Sequence, residues 1–85
     1  MKKIEIFYLK DCPHCKRLFS FLEELKEDNS SITSLDIHTI DEEVEEKYAA
    51  EHDYYYVPTI YIDGVKKHEG VMESKEKLER ILIEE

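Results

Sequence analysis

Tryptophan is absent from this chain of 85 residues, and cysteine, proline and glycine occur only twice each. The sequence also lacks a hydrophobic run long enough to cross a membrane or to form the core of a signal peptide. We therefore expect no membrane association and a cytoplasmic location. It contains no repeat, linker or low-complexity segment. A chain of this length has room for one hydrophobic core, so residues 1–85 are expected to form a single domain.

Basic residues are scarce relative to acidic ones. The chain has 12 Lys and Arg against 21 Asp and Glu, which gives a formal net charge of −9. The basic residues alternate with glutamates, as on solvated helix faces, and form no stripe that would neutralise phosphates. We therefore expect no nucleic-acid partner. We also expect the chain to act as a monomer.

The two cysteines lie in the stretch Asp11-Cys12-Pro13-His14-Cys15-Lys16, separated by two residues. Structural disulfides are rare in the cytoplasm, where such a pair is either redox-active or metal-binding. A closed zinc site needs four ligands, and the histidines are not at zinc-finger spacing. The sequence therefore favours a redox dithiol and no bound metal. The alternative is a metal or iron–sulfur carrier with the two cysteines as ligands.

Hydrophobic periodicity and turn residues predict the element order β-α-β-α-β-β-α. The predicted strands are Lys3–Leu9, Leu35–Ile40, Thr59–Ile62 and Val65–His68, and the predicted helices run from Pro13 to near Asn29, over Glu42–His52, and from Glu73 or Ser74 to Glu84. The first strand is apolar on both faces and is expected at the centre of the sheet. The first strand-helix-strand predicts a parallel βαβ unit. Asp63-Gly64 predicts a hairpin. The expected fold class is α/β, with a four-stranded mixed sheet and helices on both faces.

The first predicted helix begins at the dithiol. Cys12 is the expected N-cap and Pro13 the first helical residue, where a missing N–H costs nothing. The residues expected on the inward stripe of this helix are Cys15, Leu18, Phe19, Leu22 and Leu25. Asn29-Ser30-Ser31 is expected to be a loop.

The second predicted helix is short and strongly acidic. Asp41 is its expected N-cap, because an aspartate side chain can accept from free N–H groups of a first turn. Only Val44, Tyr48 and Ala49 are expected to face inward. We therefore expect this helix to be the least stable. In the last helix, Leu78, Ile81 and Leu82 are the expected inward residues.

The position of the cysteines predicts a division of roles between them. A helix N-terminus stabilises a thiolate through its dipole and free N–H groups, so Cys12 is the expected nucleophile. Cys15 lies one turn in and is expected to keep a higher pKa and to resolve the mixed disulfide. Pro13 would fix the turn between them. His14 would lower the pKa of Cys12 further and make the disulfide more oxidising, unless its ring simply faces solvent.

Cys12-Pro13-His14-Cys15-Lys16, together with Val57-Pro58-Thr59 and the element order, resembles the thioredoxin superfamily. The size is similar to that of its glutaredoxin-like branch. The resemblance implies a thioredoxin-like fold and a dithiol–disulfide oxidoreductase that reduces protein or low-molecular-weight disulfides. It implies that Pro58 is a cis-proline packed against the dithiol and that Val57 offers its backbone to substrate. It also implies that Tyr54 is buried and that Tyr56 lies near Cys12, in the substrate groove.

The chain departs from the family pattern at several positions. Glutaredoxins commonly have Pro-Tyr between the cysteines, whereas Pro-His here resembles the strongly oxidising thiol oxidases. The candidates for a glutathione site are Lys10, Gly70 and Glu73, with glutathione as a co-substrate and no bound cofactor. The electron donor implied is glutathione or a flavin disulfide reductase. Thioredoxins have a buried acid in the first strand, and Ile6 takes that position here.

Overall fold

The computed structural model describes residues 2–84. Its elements are β1 (Lys3–Tyr8), α1 (Pro13–Asp28), α2 (Ser30–Thr33), β2 (Asp36–Asp41), α3 (Glu46–Ala50), β3 (Thr59–Ile62), β4 (Val65–Glu69) and α4 (Lys75–Glu84). The predicted order is confirmed, with the one-turn helix α2 added between α1 and β2. The predicted strand bounds hold to within one residue. Met1 and Glu85, which the expected domain includes, lie outside the described residues.

The four strands form one mixed sheet in the order β2-β1-β3-β4. β1 pairs in parallel with β2 and antiparallel with β3, which confirms its central position. β3 and β4 form the predicted hairpin, and its turn uses the positive φ angles of Asp63 (50°) and Gly64 (82°). The register of this hairpin shifts between Ile60 and Tyr61.

This topology brings three segments to one edge of the sheet, which we call the dithiol edge. The carboxyl ends of β1 and β2 lie together, because those strands are parallel and Tyr8 is opposite Asp41. The amino end of β3 lies there too, because β3 is antiparallel to β1 and Thr59 is opposite Phe7. The loop after β1, the turn after β2 and the segment before β3 therefore meet at this edge.

Hydrophobic residues pack on both faces of the sheet. On one face, β1 and β3 contribute isoleucines to a cluster with α1, α2 and α4; its members include Ile4, Ile6, Leu18, Leu22, Leu25, Ile32, Ile60, Ile62, Leu78, Ile81 and Leu82. The inward residues predicted for α4 are all in this cluster. On the other face, Phe7, Ile40 and Tyr61 pack with Ala49 of α3. Helices on both faces of a mixed sheet are the predicted α/β architecture.

The stretch expected to be a loop after α1 folds into α2. Asn29 caps this turn, since its side chain accepts a hydrogen bond from the N–H of Ser31 (2.9 Å). Ile32 is fully buried in the larger hydrophobic cluster. The loop prediction was wrong because one apolar residue in a polar stretch gives no periodic signal, although its burial stabilises the turn.

The second helix is shorter than predicted, with α3 beginning at Glu46 and ending at Ala50. Asp41 caps the turn before the helix instead of the helix, since its carboxylate accepts from the N–H of Glu43 (2.9 Å). Val44 therefore lies in that turn and is 78% exposed, so the prediction that it faces inward was wrong. Tyr48 and Ala49 pack inward as predicted.

The longest helix is α1, with 16 residues. Within residues 2–84, none of the helices combines the length and the apolar character that a membrane-spanning segment needs.

Candidate active site

The dithiol lies where β1 turns into α1. The N–H of Cys12 donates to the carbonyl of Leu9 (3.3 Å), which closes the turn after the strand. Cys12 is the N-cap of α1 and Pro13 its first residue, as predicted. The carbonyl of Cys12 accepts from the N–H of Cys15 (3.1 Å) and of Lys16 (3.0 Å). Both cysteines are free thiols, and the helix start fixes their relative position.

Cys12 is the more acidic of the two thiols. Partial burial alone would raise the pKa of Cys12, but hydrogen bonds to its sulfur outweigh that effect and lower the pKa below its ordinary value. These bonds come from the backbone N–H and the thiol of Cys15 and from the backbone N–H of His14. They stabilise the thiolate, because a hydrogen bond to the charged form favours it. Cys12 is also partly exposed, so a substrate can reach its sulfur.

Cys15 has the opposite environment. Its side chain is only 1% exposed, and this burial raises the pKa of its thiol to about 12. The backbone N–H of Leu9 acts against this rise, whereas the Cys12 sulfur and the carboxylate of Glu42 add to it. Cys15 is therefore protonated and shielded in the reduced protein.

Glu42 is a residue that the sequence reasoning missed. Its N–H donates to the carbonyl of Tyr8 (3.1 Å), which holds it at the dithiol edge. Its carboxylate accepts a hydrogen bond from the hydroxyl of Tyr54 (3.5 Å) and acts on the Cys15 thiol through its charge. Ile6, the position in β1 where a buried acid was considered, is apolar and fully buried. The carboxylate that acts on Cys15 is instead supplied by Glu42, directly after β2. Only the parallel pairing of the two strands could have indicated it.

The remaining residues of the motif face solvent. Pro13 and His14 are both exposed. The contact of His14 with the Cys12 sulfur is made by its backbone N–H, which any non-proline residue would supply. The predicted effect of the imidazole on Cys12 stays a prediction.

Pro58 lies at the same edge of the sheet. The Val57–Pro58 peptide bond is cis, as the resemblance implies, and Pro58 is fully buried. Its carbonyl accepts from the N–H of Gly70 (2.8 Å). Gly70 has a φ of +90°, and a Cβ added there would lie 3.9 Å from the Cβ of Tyr56. The segment before β3 and the segment after β4 are therefore in contact beside the dithiol edge.

The tyrosines before Pro58 differ in burial. Tyr54 was expected to be buried but is only half-buried, and the centre of its ring lies 5.2 Å from that of Phe7. Tyr55 and Tyr56 are 86% and 70% exposed. The carboxylate of Glu69 accepts from their backbone N–H groups, at 2.5 and 2.9 Å. The prediction that Tyr56 lies in a substrate groove stays a prediction.

Glu69 has a role that the sequence did not predict. Its carboxylate also pairs with the ammonium of Lys66 (2.8 Å). The bond to Lys66 and those from the N–H groups of Tyr55 and Tyr56 lower the pKa of Glu69 to about 2. Glu69 is therefore ionised across the ordinary pH range and fixes the backbone just before the cis-proline.

The candidates for a glutathione site make contacts within the protein. The N–H of Gly70 donates to the carbonyl of Pro58, and the carboxylate of Glu73 pairs with the ammonium of Lys77. The Arg17 side chain, on α1, donates to the carbonyls of Met72 and Glu73 at 3.2 Å each. Lys10 is exposed. The structure thus ties Glu73 to α1 through Arg17 and Gly70 to Pro58, whereas the side chain of Lys10 makes no hydrogen bond or ion pair within residues 2–84.

A shallow depression of about 350 Å³ opens at the nucleophilic cysteine. Its lining residues are Leu9, Asp11, Cys12 and Glu43. None of the residues predicted to bind substrate or glutathione lines it. In residues 2–84 there is also no group of three or more His, Cys, Asp or Glu side chains placed to hold a metal ion.

Comparison with curated proteins finds relatives of almost the same length. A probable thioredoxin of Methanothermobacter thermautotrophicus is 31% identical over 78 residues, which cover 92% of this chain and 89% of that protein. A probable thioredoxin of Methanothermobacter marburgensis is 30% identical over 79 residues, covering 93% and 91%.

Solved structures share the fold at lower identity. Mitochondrial thioredoxin 3 of Saccharomyces cerevisiae in its oxidised form superposes with a TM-score of 0.73 at 20% identity, covering 99% of this chain and 78% of that one. A mutant thioredoxin of Halobacterium salinarum gives 0.68 at 21% identity, covering 95% and 71%. The family model for the thioredoxin domain matches residues 2–83. The chain therefore belongs to the thioredoxin family, as a thioredoxin-like redox protein of the thiol–disulfide oxidoreductase class.

Proposed function

We propose that this protein reduces disulfides with Cys12 as the nucleophile and Cys15 as the resolving thiol. The observation that supports this assignment is the opposite shift of the two thiols. Hydrogen bonds at the helix start lower the pKa of the accessible Cys12, whereas burial raises the pKa of Cys15 to about 12. A thiolate attacks disulfides and a thiol does not, so Cys12 reacts first.

The proposed reaction has two exchange steps. The Cys12 thiolate attacks one sulfur of the substrate disulfide, a bond forms between them, and the second substrate sulfur leaves as a thiolate that takes up a proton. Cys15 then loses its proton and attacks the Cys12 sulfur, which releases the first substrate sulfur as a thiolate. This thiolate also takes up a proton. The protein gives up two electrons and gains a Cys12–Cys15 disulfide, and the substrate gains two electrons and two protons, equal in number to those that Cys12 and Cys15 release to solvent.

The backbone before the cis-proline is the proposed substrate contact. The N–H and C=O of Val57 make no hydrogen bond within residues 2–84, so they are available to an extended peptide. Glu69 holds the preceding residues through Tyr55 and Tyr56. In this proposal Pro58 positions Val57, and Tyr56 contacts the substrate beside it.

A flavin disulfide reductase is the proposed electron donor, with glutathione as the alternative. The internal contacts of Gly70 and Glu73 support this order, because they occupy groups that would otherwise bind glutathione. We further propose that the protein works as a monomer in the cytoplasm, on disulfides of proteins or small molecules.

The decisive experiment compares two cysteine variants. Pre-reduced Cys12→Ser should fail to reduce bis(2-hydroxyethyl) disulfide, because the remaining thiol is buried and protonated. Cys15→Ser should stop at the mixed disulfide, seen by intact-mass spectrometry as one added half of the reagent. The double variant is the control, and should gain no mass. Full turnover by Cys12→Ser would contradict the mechanism.

A further inference from the structure

The turn after β2 places carboxylates beside the dithiol. All but one of the residues at 41–46 are acidic, and this segment, which we call the acidic turn, contains Asp41, Glu42, Glu43, Glu45 and Glu46. The bond from the N–H of Glu42 to the carbonyl of Tyr8 holds this turn against the end of β1, the strand that leads into Cys12. Strand pairing therefore brings this negative charge to the dithiol edge.

Two carboxylates line the depression at the nucleophile. Asp11 comes from the loop before α1 and Glu43 from the acidic turn, and they share the depression with Cys12 and Leu9. Both side chains are exposed, and neither takes part in an ion pair among residues 2–84. A group bound next to Cys12 therefore meets uncompensated negative charge.

The neighbouring basic residues do not line this depression. Lys10 and Lys16 are close to Cys12 in the sequence, but both are exposed outside the lining. The Arg17 guanidinium donates to the carbonyls of Met72 and Glu73, on the segment that follows β4. The charged side chains that line the depression at Cys12 are therefore all acidic.

We propose that Asp11 and Glu43 select disulfides flanked by positive charge, so that the preferred substrates carry basic groups next to the reacting sulfurs. This proposal rests on the proposed function, since it names the substrate class of the same dithiol. Charges near an active-site opening raise the local concentration of oppositely charged reactants and lower that of like-charged ones. Glutathione disulfide, with more carboxylates than amines, would be a poor substrate for the same reason.

Three small disulfides that differ in charge test this proposal. Cystamine is cationic, bis(2-hydroxyethyl) disulfide is neutral and 3,3′-dithiodipropionate is anionic at pH 7. Pre-reduced protein is mixed with each one, and the second-order rate constant for loss of the protein thiols is measured by quenching with an alkylating reagent and mass spectrometry. Because each experiment is a single turnover, no electron donor is needed. We expect the rate constants to fall from cystamine to the neutral disulfide to dithiodipropionate.

The ratio of the cystamine to the dithiodipropionate rate constant isolates the charge effect. The disulfides differ in intrinsic reactivity, so each ratio is divided by that measured with free cysteine as the attacking thiol. Any change in the acidity of Cys12 alters the rate constants with all three disulfides alike, so its effect largely cancels in the ratio. Asp11→Asn and Glu43→Gln should each lower the corrected ratio about threefold, and the double variant about tenfold, as expected for exposed charges. Raising the salt concentration to about 1 M should also lower it, because screening then acts within a few ångströms.

The control variant is Glu27→Gln, which removes the same charge from the other end of α1. Glu27 lies fifteen positions after Cys12 along the helix, or about 22 Å away, which exceeds the screening length in physiological salt. Its ratio should equal that of the unmodified protein. If all three disulfides react at the rates expected of a free thiol of equal acidity, the charge selection is overturned and the proposed function stands. If none reacts, both are overturned.

Discussion

At the scale of single residues, Cys12 and Cys15 acquire different chemistry from positions three residues apart. Cys12 is at the N-terminus of α1, where backbone N–H groups donate to its sulfur. Cys15 is one turn further along the helix and is buried. The difference follows from the geometry of a helix start, in which successive residues face different surroundings. Substitutions that keep this backbone should therefore adjust the reactivity of the dithiol without removing it.

Changing His14 to Ser tests the imidazole alone. The substitution keeps the backbone N–H that contacts the Cys12 sulfur, so only the ring is lost. We expect an unchanged fold and a more reducing dithiol, because a cationic ring would stabilise the reduced form with its Cys12 thiolate. The potential should fall by up to about 30 mV, a tenfold change in the two-electron equilibrium. Equilibration with glutathione buffers measures it.

A matched control is available on β2. His38→Ser removes an exposed imidazole whose partner is Asp36, away from the dithiol edge. Its potential should equal that of the unmodified protein. A potential of His14→Ser that also stays the same would show that the ring has no part in setting the redox equilibrium.

The sequence predicted the residues whose role depends on their local position. Cys12 as N-cap, Pro13 after it and Cys15 on the inward stripe all follow from helix periodicity and capping. Arg17 and Glu42 could not be recognised in the same way. Their contacts join segments that are far apart in the chain, and they depend on how α1 and β2 pack.

At the scale of elements, the contact between the end of β4 and the segment before β3 fixes the proposed substrate backbone. Glu69→Ala removes the acceptor of the Tyr55 and Tyr56 N–H groups. We expect the exchange of these two amide protons to accelerate about tenfold or more, since hydrogen bonds to a charged acceptor are stronger than those between neutral groups. The apparent KM for a peptide disulfide should rise more than kcat falls. Hydrogen exchange by NMR measures the first effect.

Lys66→Ala is the control for this prediction. It removes the ion pair with Glu69 but leaves the carboxylate to accept from both amides, so exchange should change little. Equal exchange rates in Glu69→Ala and the unmodified protein would contradict the anchoring role.

The same carboxylate predicts a pH dependence. Its pKa in the folded protein, about 2, is lower than the 4.5 of an unperturbed glutamate, so the folded state binds its proton less readily than the unfolded state does. The stabilisation by Glu69 is therefore complete above about pH 4.5 and is lost as the pH falls toward 2. Urea unfolding across this range should show a smaller acid-induced loss in Glu69→Ala.

The elements were predictable to different degrees. β1 was recognised as central because both of its faces are apolar, and the β3–β4 turn because Asp63-Gly64 accepts positive φ angles. The start of α3 was not predicted correctly, because an aspartate such as Asp41 can cap a turn as well as a helix. Short elements with few apolar residues depend on tertiary contacts that periodicity does not contain.

At the scale of the whole molecule, Phe7 organises the less covered face of the sheet. Its ring lies 4.6–6.0 Å from the rings of Tyr48, His52, Tyr54 and Tyr61. These contacts join β1 and β3 to the chain between α3 and the cis-proline. Tyr61 adds to this through hydrogen bonds with the backbone of Asp53, at 2.9 and 3.1 Å.

Phe7→Leu should therefore destabilise the whole domain. We expect the free energy of unfolding to fall by about 1–2 kcal/mol, since the volume is partly kept but the ring contacts are lost. Urea unfolding followed by circular dichroism measures this. Phe21→Leu is the control. Phe21 is half-buried on α1 beside Arg17, so this substitution should lower the free energy of unfolding by less. Equal losses would show that the aromatic cluster adds nothing beyond ordinary burial.

The direction of β1 also determines where the domain can be joined to another domain or to a surface without blocking the dithiol. The strand begins at Lys3, whose N–H and C=O bond to Asp63 in the hairpin turn, and it ends at the dithiol edge. The side chain of Lys2 reaches the carbonyl of Ile83 near the end of α4, so residues 2 and 83 lie together at the opposite edge. A fusion partner, a surface or a second domain joined at either of these points would leave the nucleophilic sulfur facing outward.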